Sequence, residues 1–200
     1  MVELKLFNKW ETKGISVSDR GLKNYIGLEP VLVPRNEGRT AKQQFHKSKM
    51  NIVERLITHM MGPGHRGKKH HISSGQAGGK YTTAVKVLKE AFTVVENRTK
   101  KNPVEVFVKA IENSALREEI TSFQVGGMMA RKAVITSPQR RVDLALRLLV
   151  QTAYQKSTNN PKKMSSALAD EIVASYNNDA QVSVAIKEKE RIEREAAGAR

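Results

Sequence analysis

The chain has 200 residues, no cysteine, 35 Lys+Arg against 20 Asp+Glu, a formal charge of +15 and a pI near 10.1. That length fits one domain, or one domain with an arm. The missing thiols exclude disulfides, thiol chemistry and cysteine-ligated zinc, and no apolar run approaches the ~20 residues of a membrane-spanning helix. The positive excess speaks to partners rather than to fold and points to a polyanion. Aromatics make up 5% of the chain, too few for base stacking to be the main mode of recognition. The opening MVELKLFNKWETKG lacks the uninterrupted apolar region of a signal peptide, so a cytoplasmic protein without a membrane partner is expected.

Residues 1–47 show no sustained periodicity. Leu4, Leu6 and Trp10 sit among charges, Pro30 and Pro34 interrupt Val31-Leu32-Val33, and Asn36 to Arg39 reads as a turn. This predicts a basic, mostly extended segment that packs on the body or on a partner, ahead of a helical domain over residues 48–200. Arg35, Arg39, Lys42, Lys47 and Lys49 make the approach to the first helix basic. Helical spacing begins at Lys49 and carries Ile52, Val53, Leu56, Ile57, Met60 and Met61, until Gly62-Pro63-Gly64 stops it.

The stretch from Gly62 to Lys80 is rich in glycine and histidine and has no acidic residue. Residues 62–68 fit G-x-x-x-x-G-K. However, Lys69 stands where a P-loop needs Ser or Thr for Mg²⁺, and an amphipathic helix precedes it rather than a strand. Arg66, Lys68, Lys69 and Lys80 on a glycine-rich chain are better suited to clamping a phosphate backbone. His59, His65, His70 and His71 match no zinc spacing, so no metal and no cofactor is expected.

Helical periodicity resumes with Ala84, Val87, Leu88, Ala91, Phe92 and Val95. Asn102-Pro103 opens a third helix, with Glu105 placed for a capping box and Val104, Phe107, Val108, Ile111 and Ala115 inward. Ile120 to Val125 alternates as a strand, Gly126-Gly127 supplies a turn, and Met128 to Ile135 returns, giving a hairpin at about 119–136. Ser137-Pro138 is an N-cap with proline at the first helical position. Arg140 and Arg141 follow in the first turn, where the helix dipole disfavours cations, so they need another reason to be there. With Arg131 and Lys132 they cluster about the hairpin base, as phosphate contacts would. Val142, Leu144, Ala145, Leu146, Leu148, Leu149 and Val150 form a wide apolar arc, which predicts the central buried helix. Asn160-Pro161 opens the next, with Met164, Ala167, Leu168 and Ile172 inward. From about Ala180 a Lys/Glu/Arg-rich tail carries only Val182, Ala185, Ile186 and Ile192, a thin stripe that predicts a peripheral, fraying helix.

Enzyme chemistry finds no support. Glu118-Glu119 and Asp170-Glu171 read as adjacent solvated charges at helix positions, diverging too far to form a facing dyad, and no serine has a G-x-S-x-G setting. The residues leave three readings open: an RNA binder, a DNA-binding architectural protein using the hairpin as a groove arm, or a helical protein–protein adaptor.

Several collinear motifs resemble one family. They are Gly79-Lys80 followed by Thr83-Ala84, Val87-Leu88 and Ala91; Asn102 to Phe107 with Ala110 to Asn113; Val125-Gly126-Gly127; Ser137 to Arg141 leading to Leu144 to Arg147; and Lys163-Met164 with Leu168 to Glu171. The pattern is similar to the universal small-subunit ribosomal protein number seven family. The insertion Gly62 to Gly78, Tyr81 where a basic residue is usual, and the longer leading segment resemble its archaeal and eukaryotic form, the modest extension favouring archaeal. The resemblance implies an all-α body of about six helices with one projecting β-hairpin. It implies a cytoplasmic, ribosomal role: primary binding of the 3′ major (head) domain of small-subunit ribosomal RNA. Exit-site transfer RNA, exiting messenger RNA, and neighbouring head and platform proteins are the other partners. Gln124, Val125, Gly126, Gly127, Met128 and Met129 would be the hairpin tip facing those ligands. Arg131, Lys132, Arg140 and Arg141 would meet phosphates, and Lys47 and Lys49 would belong to the ribosomal RNA surface. The leading segment would order on assembly.

Overall fold

The computed structural model describes residues 4–64 and 77–200. Among them are helices α1 (Ile52–Met60), α2 (Tyr81–Thr99), α3 (Pro103–Ser114), α4 (Pro138–Ser157), α5 (Met164–Tyr176) and α6 (Val184–Ala197). Strands β1 (Glu118–Val125) and β2 (Met128–Ile135) pair antiparallel between α3 and α4. The fold is a mainly helical body with one β-hairpin.

The helix starts follow capping chemistry. Asn51 accepts a hydrogen bond from Val53 N–H, and Asn102 accepts one from Val104 N–H ahead of Pro103. Each satisfies a donor that the first turn would leave unpaired. Ser137 holds the N-cap position of α4 ahead of Pro138, but its side chain makes no capping bond. Two expected starts move inward. Lys49 falls in a short 3-10 turn, His46–Lys49, so that α1 begins only after Asn51. Asn160-Pro161 lies in the turn before α5, whose N-cap is Lys163.

Helix α4 is central, as its apolar arc predicted, but it shares that place with α5, which is the more completely covered. Helix α5 packs against α2, α3, α4 and α6, and none of its residues is exposed, whereas Arg140 and Arg147 of α4 are. Its apolar and small side chains (Ala167, Ala169, Ala174, Ser175) lie all round the helix and give it no single apolar face, and small residues are what let four helices crowd one. Its acidic residues are satisfied internally. Asp170 pairs with Arg98 and Lys162. Glu171 has no access to solvent and accepts from Lys156 Nζ at 2.8 Å, Ser183 Oγ at 2.7 Å and Ala185 N–H at 3.0 Å. It is therefore an internal tie to the start of α6, not the solvated charge expected from its neighbours.

The leading segment packs on the helical body. Leu6, Trp10, Leu22 and Ile26 belong to the same core as the helices. Trp10 meets Phe92 edge-on at 5.5 Å, Phe92 meets Phe107 at 5.9 Å, and the Trp10 indole N–H donates to Glu96 at 3.0 Å. Four scattered apolar residues carry no sustained period, so the sequence pattern could not place them; their burial favours an ordered segment. Helix α6 likewise is more than a fraying tail. Ala185, Ile186 and Ala196 are buried, and the helix packs against both hairpin strands.

Gly27 is where the leading segment meets α1. Its carbonyl accepts from Ile52 N–H at 2.9 Å, and a Cβ there would lie 2.5 Å from the Met50 carbonyl oxygen. Gly27→Ala is expected to destabilise the fold by about 2 kcal/mol, in the usual range for a steric clash in a packed backbone. A calorimetric midpoint within a degree of the parent would contradict this packing.

Candidate nucleic-acid interface

The outer half of the hairpin stands clear of the body. Gly126 and Gly127 have φ of +53° and +86°, as a two-residue type I′ turn requires, and Val125 pairs directly with Met128. Residues 121–129 are all exposed. Directly opposed residues share a face, so Phe123, Val125, Met128 and Lys132 lie on one face and Gln124, Met129 and Arg131 on the other. The tip from Gln124 to Met129 carries no charge and exposes Val125, Met128 and Met129 by 57–78%.

Ion pairs hold its base. Glu118 and Glu119 lie on β1, not on a helix, and so point to opposite faces. Glu118 meets Arg200 at the end of the chain. Glu119 takes a two-point bond from Arg140, Nε to Oε1 at 2.6 Å and Nη2 to Oε2 at 2.8 Å. Arg141, largely covered, donates to the Leu116 carbonyl at 3.1 Å and to Asp19 at 2.8 Å. Burial alone would raise the Asp19 carboxyl, but Arg141 and the Gly21 N–H hold it below its ordinary value. The two arginines at the start of α4 thus have partners within the chain, which answers why they tolerate the helix dipole.

A second charged cluster lies between α1 and α4. Arg55 has no exposure at all; its guanidinium donates to the Tyr25 carbonyl at 2.7 Å and to Asp143 at 3.0 Å. Lys47 reaches the same Asp143 oxygen at 2.9 Å and His59 lies at 3.6 Å. Burial would raise the Asp143 carboxyl, but hydrogen bonds from His59, Lys47 and Arg55 hold it far below the ordinary carboxylate range. Sequence reasoning missed Arg55, Asp143 and Glu54. An arginine inside an apolar helix reads as its polar face, and nothing local links residue 55 to residue 143.

The remaining candidate cations fall in distinct places. Arg39, Lys42 and Lys49 are exposed on the leading segment, Arg39 and Lys49 lining one cleft with Arg35 and His46. Lys80 is exposed at the start of α2, and Arg131 and Lys132 are exposed on β2. Arg66, Lys68 and Lys69 lie outside the described residues. No cluster of three or more potential metal-ligating side chains occurs among the described residues, and no described helix is long and apolar enough to cross a membrane.

A basic helical body with an anchored, uncharged-tipped arm defines a class of protein that sits on a polyanion by charge and shape. The sequence comparisons narrow that class. Residues 28–200 match the family model described as ribosomal protein S7p/S5e. The chain is 47% identical over 199 residues to small ribosomal subunit protein uS7 of Nanoarchaeum equitans, with all of both chains covered. It is 43% identical over 200 residues to the uS7 of Methanococcus maripaludis strain C6, again over all of both chains. It is 42% identical to that of Methanococcus vannielii, over the whole chain and 97% of the relative. The chain belongs to the ribosomal protein S7p/S5e family, in its archaeal type. The family is structural and non-enzymatic, and RNA binding is its general role.

The Asp143 cluster has a pH signature. A carboxyl depressed in the folded state contributes stability above its unfolded value of about 3.9, and that stability is lost as pH falls through the folded value. Asp143→Ala strands a buried guanidinium and is expected to cost about 3–5 kcal/mol near neutrality. Asp143→Asn should flatten the fall in urea midpoint below about pH 4 relative to the parent. Parallel acid profiles for Asn variant and parent would contradict the assignment.

Proposed function

We propose that the protein is a structural constituent of the small ribosomal subunit, acting in the cytoplasm. It binds the 3′ major domain of small-subunit ribosomal RNA, which forms the head, and its hairpin lies near exit-site transfer RNA and exiting messenger RNA. The observation that carries the reading is the division of charge. Exposed cations lie on the body and on the lower part of the arm, whereas the arm's tip is apolar and uncharged. Charge-driven affinity for a polyanion therefore comes from the body and the lower arm, and the tip makes contacts of another kind.

Arg39, Lys42, Lys49, Lys80, Arg131 and Lys132 are exposed and suit phosphate contacts, which position a protein without reading sequence. Lys47, Arg140 and Arg141 reach RNA only as members of ion pairs. Their guanidinium or ammonium groups already have carboxylate partners, so a phosphate there would share or replace one. Arg66, Lys68 and Lys69 complete the cationic set by sequence alone. The apolar tip formed by Gln124, Val125, Gly126, Gly127, Met128 and Met129 suits transfer RNA, messenger RNA or a neighbouring head or platform protein through surface contact rather than charge.

Filter binding to a head-domain ribosomal RNA fragment tests this, with duplex DNA and an unrelated structured RNA as competitors. Retention that survives both competitors and falls steeply with salt is the expected result; a preference for duplex DNA would favour an architectural DNA binder instead. Deleting Gln124 to Met129 should change fragment affinity by no more than about twofold, since no cation is lost. The same deletion should weaken exit-site transfer RNA retention on reconstituted subunits. Complete loss of fragment binding in the deletion would contradict the division of labour.

A further inference from the structure

The leading segment and the start of α1 enclose a cleft of about 440 Å³, within the range of small-ligand sites. Its lining is chemically mixed. Arg39 and Lys49 are exposed at its rim, while Glu54 and His46 lie deeper, and Arg35 and Asn36 contribute a wall. That wall is fixed: the Tyr81 hydroxyl donates to the Pro34 carbonyl, and the Arg35 guanidinium lies over the Tyr81 ring at 5.8 Å.

Two polar groups in the cleft are under-used. Glu54 is 8% exposed and forms no ion pair among the described residues; the Asn36 N–H donates to its Oε1. His46 Nδ1 is buried with no hydrogen-bond partner. Buried polar atoms are nearly always satisfied, and the exceptions call for an explanation. A buried carboxylate without a cation is costly, and burial pushes the Glu54 carboxyl above its ordinary value. The Asp143 cluster shows the contrast: there three cationic or hydrogen-bonding neighbours surround the carboxylate.

A ligand that completes this cleft must bring hydrogen-bond donors to Glu54, a polar edge to His46 and negative charge to Arg39 and Lys49. A nucleotide does all three. Among the bases, guanine presents two adjacent donors, N1–H and the N2 amino group, spaced to meet one carboxylate, with O6 alongside. Adenine and cytosine present an amino donor beside a ring acceptor, which the carboxylate repels, and uracil presents one donor between two carbonyls.

We propose that this cleft receives a single unstacked guanine nucleotide of the bound RNA. Glu54 reads the Watson–Crick edge, and Arg39 and Lys49 hold the phosphate. The inference rests on the RNA-binding function above and adds one sequence-reading position to a surface otherwise made of phosphate contacts.

The test uses the full chain, ¹⁵N-labelled, titrated with the RNA tetranucleotides UUGU, UUAU, UUCU and UUUU and with guanosine 5′-monophosphate. UUGU should shift the Asn36 amide and His46 ring signals at concentrations at least about tenfold lower than the other three, the discrimination a two-point base contact supplies. Glu54→Gln keeps an acceptor for Asn36 N–H but presents an amino group to the base, so the preference for UUGU should vanish with the thermal midpoint maintained or raised. Arg39→Ala should weaken all four tetranucleotides alike. Equal shifts for all four, or shifts that leave Asn36 and His46 unmoved, would overturn the proposal. Response to the free monophosphate but not to UUGU would overturn it too, by making the ligand a free nucleotide. The head-domain fragment is assayed on the same sample. Retained fragment binding without guanine preference rejects the cleft alone; lost fragment binding rejects the RNA function on which it rests.

Discussion

Arg55 has no access to solvent, and the carboxylate of Asp143 is what makes its burial tolerable. An unpaired guanidinium in that position would oppose folding by several kcal/mol, on the order of the penalty for any stranded buried charge. The pair does more than cancel charge. Arg55 sits on α1, Asp143 on α4, the Tyr25 carbonyl on the leading segment and Lys47 on the turn before α1. One charged cluster therefore joins the leading segment, the turn before α1 and α1 itself to α4, whose Asp143 lies 88 residues beyond Arg55. Those parts carry the exposed cations of the leading segment and the arginines at the start of α4. The geometry of the cationic surface is a consequence of the core beneath it.

The hairpin depends on the body in the same way. A two-stranded ribbon is marginal in water by itself, and here its outer half has no cover. Its base is held by Glu119 with Arg140, by Glu118 with Arg200, and by the Arg117 N–H donating to Glu193 of α6 at 2.8 Å. Exposed ion pairs contribute little individually, but these two pairs and the one hydrogen bond join the start of β1 to α4, to Arg200 and to α6. Helix α6 is in turn tied to α5 through the buried Glu171. The arm is thus stiffly rooted and free at its end, as a feature must be if it is to project toward a partner without giving up its position.

Much of this was legible in the chain. The alternation from Ile120 to Val125, the paired glycines and the Ser137-Pro138 start locate the hairpin and α4, because turns and caps are local chemistry. The periodic apolar residues of α1, α2 and α3 are likewise buried, apart from the half-buried Met61 and Val87. Apart from two helix starts displaced by a few residues, what failed was what depended on distant partners. Glu171 looked solvated because its three donors lie 12 to 15 residues away. Leu6, Trp10, Leu22 and Ile26 looked unplaced because burial in an irregular segment has no period. Helix α5 looked secondary because its apolar and small side chains are spread round the helix and form no one-sided stripe, although that is what a helix needs when others close around it. At the site, the exposed lysines could be counted from the sequence. The intrachain partners of Arg140 and Arg141, and the cleft around Glu54, could not.

The central claim is that the surface offered to RNA is built by the core before RNA arrives. Native-state hydrogen exchange on the free protein measures this directly. The amides of Leu22, Tyr25 and Ile26, which donate within the leading segment, and of Ile52, which donates to Gly27, should be protected on the same timescale as the buried turns of α4. Exchange of these four amides at unfolded-chain rates, while α4 and α5 stay protected, would show instead that the leading segment orders only on its partner.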